Sequence, residues 1–174
     1  MRGLYVCPIS VDLPGNRGIL NKMEQKRAAL VELGGGADVL CNSLRGPLLG
    51  ENRVAEYRLT GRGLNPLNHY VLFYRYAWTH CRPQEYDFLY VRYPLALPSF
   101  LGFLRATKKA NPKIKIVVEV PTFPYRQELR SPKQRVLLAL DDLGRGSLKK
   151  YVDVIVTFFG QSEIFGIPCI PTAN

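Results

Sequence analysis

Apolar residues recur along this chain in short runs that alternate with longer amphipathic stretches. The runs are rich in β-branched side chains and predict strands at 4–10, 37–41, 86–93, 113–120, 152–159 and 167–170. Apolar residues at three- and four-residue steps predict helices at about 19–33, 67–79, 98–104 and 136–148. Strands that alternate with helices indicate right-handed βαβ units, so we predict a doubly wound, Rossmann-like α/β fold with a parallel sheet.

Several local signals refine this outline. The largely apolar run of Ile114, Ile116, Val117, Val118 and Val120 is typical of a central parallel strand. Three glycines at 34–36 end the first helix, and Pro132 suits the first turn of the last one. Residues 53–59 alternate enough to predict a short strand, and residues 160–165 suggest a short helical turn.

The length and composition of the chain limit its class. A chain of 174 residues with 47% hydrophobic residues is in the usual range of one compact domain. No apolar stretch reaches membrane-spanning length, and the first strand is too short and wrongly flanked for a signal peptide. We therefore expect one cytoplasmic domain, either free or attached only to a membrane surface.

Cysteines and histidines give no metal-binding pattern. The four cysteines form no CxxC pair, and the two histidines have no zinc-like spacing with them. Reduced, mostly buried thiols and no bound metal are the expectation.

Doubly wound folds bind ligands beyond the carboxyl ends of their strands, which directs attention to the residues that follow each run. After the first strand come Gly15, Asn16, Arg17 and Gly18, at the start of a helix whose free N–H groups favour an anion. The pattern suits a phosphate or sugar site, and it equally suits an ordinary tight turn.

Two further strand ends carry candidate chemistry. Arg92 and Tyr93 offer a cation and an aromatic ring, although the tyrosine also suits packing under a helix. Glu119 places a carboxylate where it can bind sugar hydroxyls or transfer a proton, unless neighbouring N–H groups satisfy it. A classical NAD site is disfavoured, because residues 41–43 supply no acid at the end of the second strand.

Several segments together resemble glycosyltransferase family four. They are residues 14–19, 21–26 and 119–125, and a more specific tail at 148–157 and 164–170 that is similar to exopolysaccharide glycosyltransferases. The resemblance covers essentially the whole chain. It implies the amino-terminal, acceptor-binding half of a GT-B fold and predicts a donor-binding domain after Asn174.

The same resemblance implies a function. Members transfer a sugar from a nucleotide-sugar cosubstrate with retention at the anomeric carbon, without an obligatory metal or another cofactor. Many members carry a histidine near the end of the strand that here bears Glu119, so the catalytic residue stays open with Glu119 as the candidate. Carried over by motif, Gly15, Arg17 and Gly18 line the donor-phosphate cleft, and Glu119 and Thr122 face the acceptor. We add Asn16 as a candidate of the cleft, and Arg92, Tyr93 and Tyr125 as candidate acceptor-binding residues.

A strong positive charge points to an anionic partner. The net charge is +10, with five basic residues within 105–115 and seven within 126–150. We expect peripheral attachment to the inner face of the cell membrane, with Leu137, Leu138 or Leu148 among the lipid head groups and a polyprenyl-linked sugar as the acceptor. The alternative is a solvated basic face that keeps the protein soluble.

Nucleic acid is the other anionic partner that the charge suits, given the aromatic stretch at 70–78. These aromatic residues fall at helical spacings, which favours a buried helix over base stacking. A noncatalytic α/β module that binds nucleic acid or a phosphorylated small ligand therefore stays the alternative to a glycosyltransferase half.

Overall fold

The computed structural model describes residues 1–50, 52–53, 55, 57, 66–123 and 132–172. Within this part, the side chains of Arg17, Arg53, 66–70 and 132–134 are not described. Tyr125 and most of the predicted strand at 53–59 lie outside the described residues.

The described strands form one mixed sheet. They are β1 (Arg2–Ser10), β2 (Gly36–Asn42), β3 (Leu48–Leu49), β4 (Asn52–Arg53), β5 (Phe88–Arg92), β6 (Lys115–Val120), β7 (Val154–Thr157), β8 (Glu163–Ile164) and β9 (Ile167–Pro171). Their order is β4-β3-β2-β1-β5-β6-β7-β9-β8. The strands from β2 to β9 in this order pair in parallel, and β3, β4 and β8 add antiparallel pairs at the two edges.

Helices cover both faces of this sheet. They are α1 (Arg17–Glu32), α2 (Pro66–Cys81), α3 (Pro98–Ala110) and α4 (Pro132–Arg145). Met23 of α1 packs with Tyr5 and Cys7 on one face. Phe73 of α2 and Phe100 of α3 belong to the larger core on the other face, which Leu4 and Val6 enter from β1. Alternate β1 residues thus serve opposite faces, and the predicted Rossmann-like α/β fold is confirmed.

The first and second helices differ from the prediction in detail. α1 ends at Glu32, and Gly34 (φ 77°) follows it with a hydrogen bond from its N–H to the Val31 carbonyl. Val31 and Leu33, predicted on the packed side, are exposed because the last turn does not reach the cluster around Met23. Phe73 and Tyr74 of α2 are buried, as the helical spacing of the aromatics indicated.

The predicted helical turn at 160–165 is wrong. Glu163 pairs with Pro168 and Ile164 with Ile167, so β8 and β9 form a hairpin. Phe165 (φ 57°) and Gly166 (φ 74°) form its two-residue turn. Positive φ at both central positions matches the twist of a tight hairpin, and this geometry wins over the helical tendency of the segment.

Three of the four cysteines are buried and Cys169 is half-buried, in agreement with the expectation of mostly buried thiols. Cys7 and Cys41 are register neighbours on β1 and β2, and Cys81 lies in the larger core. Burial raises the pKa of the Cys81 thiol to about 11. Among the described residues, no group of three or more histidine, cysteine, aspartate or glutamate side chains is placed to share a metal ion.

Candidate functional site at the carboxyl edge of the sheet

The turn after β1 is open to solvent. Residues Pro14–Asn16 form a short 3-10 turn that leads into α1, and Gly15 and Gly18 are exposed. A Cβ atom at either glycine would meet no described atom within 4 Å. Small molecules can therefore approach the backbone here.

Asn16 stabilises this turn and leaves the start of α1 uncapped. Its side-chain amide donates to the Ser10 carbonyl at 2.8 Å, and it makes no side-chain hydrogen bond that caps the helix. The backbone of Arg17 begins α1. The first N–H groups of a helix need partners and carry the positive end of the helix dipole, so this end suits an anion.

Glu119 is the centre of a buried ion cluster. Its side chain is almost fully buried, and the whole residue is 4% exposed. Arg92 donates from Nη1 to Glu119 Oε1 at 2.9 Å, and Lys26 Nζ donates to Glu119 Oε2. Two cations on one carboxylate give the cluster a net charge of about +1. We call Lys26, Arg92 and Glu119 the ion triad.

Register and helix packing assemble the ion triad. Arg92 and Glu119 are direct neighbours on the parallel strands β5 and β6. Lys26 reaches them from α1: its ammonium lies 4.8 Å from the centre of the Tyr90 ring and 3.0 Å from the Tyr90 hydroxyl. The rings of Tyr5 and Tyr90 pack with their centres 4.7 Å apart beneath it.

Lys26 is the residue that the sequence reasoning missed as a site residue. The segment 21–26 entered only as part of the resemblance. The available signal was the pair Lys22 and Lys26, four residues apart and therefore on one side of α1.

Tyr93 lies on the opposite side of the sheet from Arg92. Its hydroxyl donates to Asp141 of α4 at 2.5 Å, and its ring contacts Phe100 and Phe165. The structure thus brings Arg92 and Glu119 together and directs Tyr93 into packing. Thr122 is half-buried in the turn after β6. None of the contacts within the described part of the chain joins the Gly15–Gly18 turn to Glu119.

The loop between β5 and α3 is held in an unusual conformation. Leu95 has φ 138°, and the Leu97 N–H donates to the Leu95 carbonyl at 2.8 Å. Such a backbone geometry is costly for a residue with a Cβ atom, and it persists only where neighbours impose it. The Asp141 carboxylate, which accepts from the Ala96 N–H at 2.6 Å, is one such neighbour.

The end of β2 is occupied by internal hydrogen bonds. Asn42 and Ser43 are buried; the Asn42 amide donates to the Pro8 carbonyl, and its oxygen accepts from the Tyr57 hydroxyl. These side chains hold the β2–β3 connection. They supply no carboxylate for ribose hydroxyls.

The tyrosines of this site make stability sensitive to alkaline pH. Burial and then the Glu119 charge raise the pKa of Tyr5 to about 12, and burial followed by Glu119 also raises the pKa of Tyr90. A tyrosine whose pKa is higher in the folded than in the unfolded chain stabilises the fold fully below about pH 10 and loses this contribution as the pH rises through the folded value. We expect the free energy of unfolding to fall from pH 10 towards pH 12. Urea unfolding at stepped pH, with tyrosinate absorbance as a second signal, measures this. Tyrosines that all ionise with a midpoint near pH 10 and without loss of stability would contradict it.

Comparison of the chain with models of protein families, with curated protein sequences and with solved structures finds no match. None of the described helices is long and apolar enough to cross a membrane.

Proposed function

We propose that this α/β unit is the acceptor-binding half of a retaining glycosyltransferase. It would transfer a sugar from a nucleotide-sugar donor to a glycan or lipid-linked acceptor in surface polysaccharide synthesis. One observation carries the proposal: the edge formed by β1, β5 and β6 combines an open glycine turn at an uncapped helix start with two cations. N–H groups and cations at the switch point of a parallel sheet suit a phosphorylated sugar.

In this proposal Glu119 positions the cations instead of binding the acceptor. Both of its oxygens accept from Lys26 and Arg92, which leaves them poorly placed to bind sugar hydroxyls. A carboxylate in this position fixes the direction of the Arg92 guanidinium and holds Lys26 over Tyr90. The surplus positive charge of the ion triad then favours an anionic ligand at the edge.

Sugar transfer from a nucleotide donor develops charge in a way that such an edge can stabilise. The departing diphosphate gains negative charge, and prearranged N–H dipoles and cations stabilise it most where water is excluded. A second wall is needed to close the cleft, and the resemblance assigns that wall to a donor-binding domain. The 174-residue chain by itself should therefore bind ligand without transferring sugar.

The proposal includes peripheral attachment to the cytoplasmic face of the cell membrane. A lipid-linked acceptor lies at that surface, and the chain carries a net charge of +10. Basic side chains near an anionic bilayer each contribute about 1 kcal/mol of binding.

A titration followed by nuclear magnetic resonance tests the proposed site. We expect inorganic diphosphate to shift the backbone amide signals of Gly15, Asn16 and Gly18, and a short-chain prenyl-diphosphate sugar to shift the side-chain signal of Arg92. A single-stranded oligonucleotide serves as the competing ligand for the nucleic-acid alternative. Shifts confined to other surfaces, or binding of the oligonucleotide alone, would overturn the proposal.

A radiolabelled nucleotide sugar tests whether the chain alone transfers sugar. The purified chain should show no transfer, and turnover would contradict the proposal that it is only the acceptor-binding half of the enzyme.

A further inference from the structure

The inward side of α4 is fixed by one polar and one steric constraint. Asp141 is fully buried, and its carboxylate accepts from the Tyr93 hydroxyl at 2.5 Å and the Ala96 N–H at 2.6 Å. Gly144 lies one turn further, and a Cβ atom there would stand 1.9 Å from the Ala96 carbonyl oxygen. The side of α4 that bears Asp141 and Gly144 therefore faces the loop after β5.

The outward side of α4 is apolar. Val136, Leu140 and Leu143 are 63%, 39% and 82% exposed, and their spacing of four and three residues places them on one side of the helix. We call these three residues the α4 stripe. A surface helix of a globular protein usually turns its apolar side to the core, whereas α4 turns the α4 stripe to solvent.

One of the three leucines expected among the lipid head groups is buried in the core. Leu148 is 1% exposed and belongs to the larger core. Leu137 and Leu138 are half-buried. The hydrogen bonds of Asp141 and the close approach at Gly144 set the rotation of the helix, and they turn the α4 stripe outward in place of these leucines.

Exposed basic side chains flank the α4 stripe in the sequence. Arg135 is exposed within the helix, and Lys149 and Lys150 are exposed just after it. The Arg145 guanidinium forms an ion pair with the exposed Asp142, which offsets that negative charge. Lysine is depleted at protein–protein interfaces, whereas leucines flanked by lysine and arginine are typical of helices that lie in the surface of an anionic bilayer.

We propose that α4 lies on an anionic lipid surface, with the α4 stripe inserted among the head groups and Arg135, Lys149 and Lys150 against the lipid phosphates. The proposal rests on the peripheral attachment included in the proposed function and adds the surface responsible for it. A helix of this length spans about 20 Å, long enough to lie along the surface and too short to cross it.

Vesicle co-sedimentation of the 174-residue chain tests the proposal. We expect binding to phosphatidylcholine vesicles that contain phosphatidylglycerol and weak binding to phosphatidylcholine alone. Leu140→Gln and Leu143→Gln should each lower the partition coefficient about tenfold, since a leucine removed from water contributes on that order. The Lys149→Gln/Lys150→Gln variant should also bind less, with a smaller loss at high salt.

The chain offers matched controls. Leu33 is 84% exposed at the end of α1, so Leu33→Gln removes an equally exposed leucine from another surface and should leave binding unchanged. Arg105 and Lys109 are exposed on α3, and Arg105→Gln/Lys109→Gln is the control for charge. Circular dichroism and thermal melting of every variant verify that each one folds.

Three results would overturn the proposal. The first is that the wild-type chain binds neutral and anionic vesicles equally, or binds neither. The second is an α4-stripe variant that binds vesicles as well as the wild type. The third is self-association that Leu143→Gln abolishes, in the absence of vesicle binding, which would make the α4 stripe an interface between copies. The diphosphate titration uses soluble ligands, so its outcome at Gly15–Gly18 separates a failure of the proposed function from a failure here.

Discussion

Glu119→Gln is expected to lower the free energy of unfolding by about 3 kcal/mol, because it leaves two partly buried cations without their carboxylate. Lys26 and Arg92 converge on this one side chain, and neither has a second carboxylate among its described ion pairs. Urea unfolding measures the loss, and the melting temperature should fall by roughly 10 °C.

Glu24→Gln is the matched control for this prediction. Glu24 pairs with Arg27 at 2.6 Å on the exposed side of α1, where an ion pair contributes at most about 0.5 kcal/mol. Adding Lys26→Met to Glu119→Gln should restore part of the lost stability, because one uncompensated cation is removed. Equal losses for the two glutamate variants would show that the ion triad does not stabilise the fold.

Gly144→Ala is expected to destabilise the protein by about 2–3 kcal/mol, because the added methyl group overlaps a backbone atom that cannot rotate away. That atom is the Ala96 carbonyl oxygen, 1.9 Å from the Cβ position. The only relief is a shift of α4 from the loop, which also stretches the hydrogen bonds of Asp141 to Tyr93 and Ala96.

Gly102→Ala provides a control of opposite sign. Gly102 lies within α3, and its Cβ position meets no described atom within 4 Å. Alanine stabilises a helix by about 0.5–1 kcal/mol over glycine, so this variant should be more stable than the wild type. Denaturant unfolding of both variants distinguishes steric overlap at Gly144 from helix propensity, since propensity alone predicts that both variants gain stability.

Much of the fold could be predicted because its local signals agree with its packing. The run that ends at Val120 lies between β5 and β7, as its largely apolar character indicated. The hairpin at 163–168 was missed because a phenylalanine occupies a positive-φ position that is normally given to glycine or asparagine. The antiparallel β3 is only two residues long and leaves almost no pattern to read.

The site was predictable only in part, since its contacts link distant residues. The ends of β5 and β6 pointed to Arg92 and Glu119, and the two prove to be register neighbours. Lys26 and Glu119 are 93 positions apart, and their contact depends on how α1 crosses the sheet. The rotation of α4 was likewise invisible, because its apolar pattern alone favours the opposite orientation and the hydrogen bonds of Asp141 decide it.

The strained backbone of Leu95 depends on the contact between α4 and the loop after β5. Its φ of 138° is held while Asp141 of α4 accepts a hydrogen bond from the Ala96 N–H. A displacement of α4 from the loop would let the Leu95 backbone, three residues from Arg92, adopt a less strained conformation. By thermodynamic linkage, a ligand that prefers one conformation of the loop changes the free energy of the contact between α4 and Ala96 by the same amount as that contact changes the affinity for the ligand. Binding at the outer surface of α4 and ligand binding at the edge formed by β1, β5 and β6 would then influence each other.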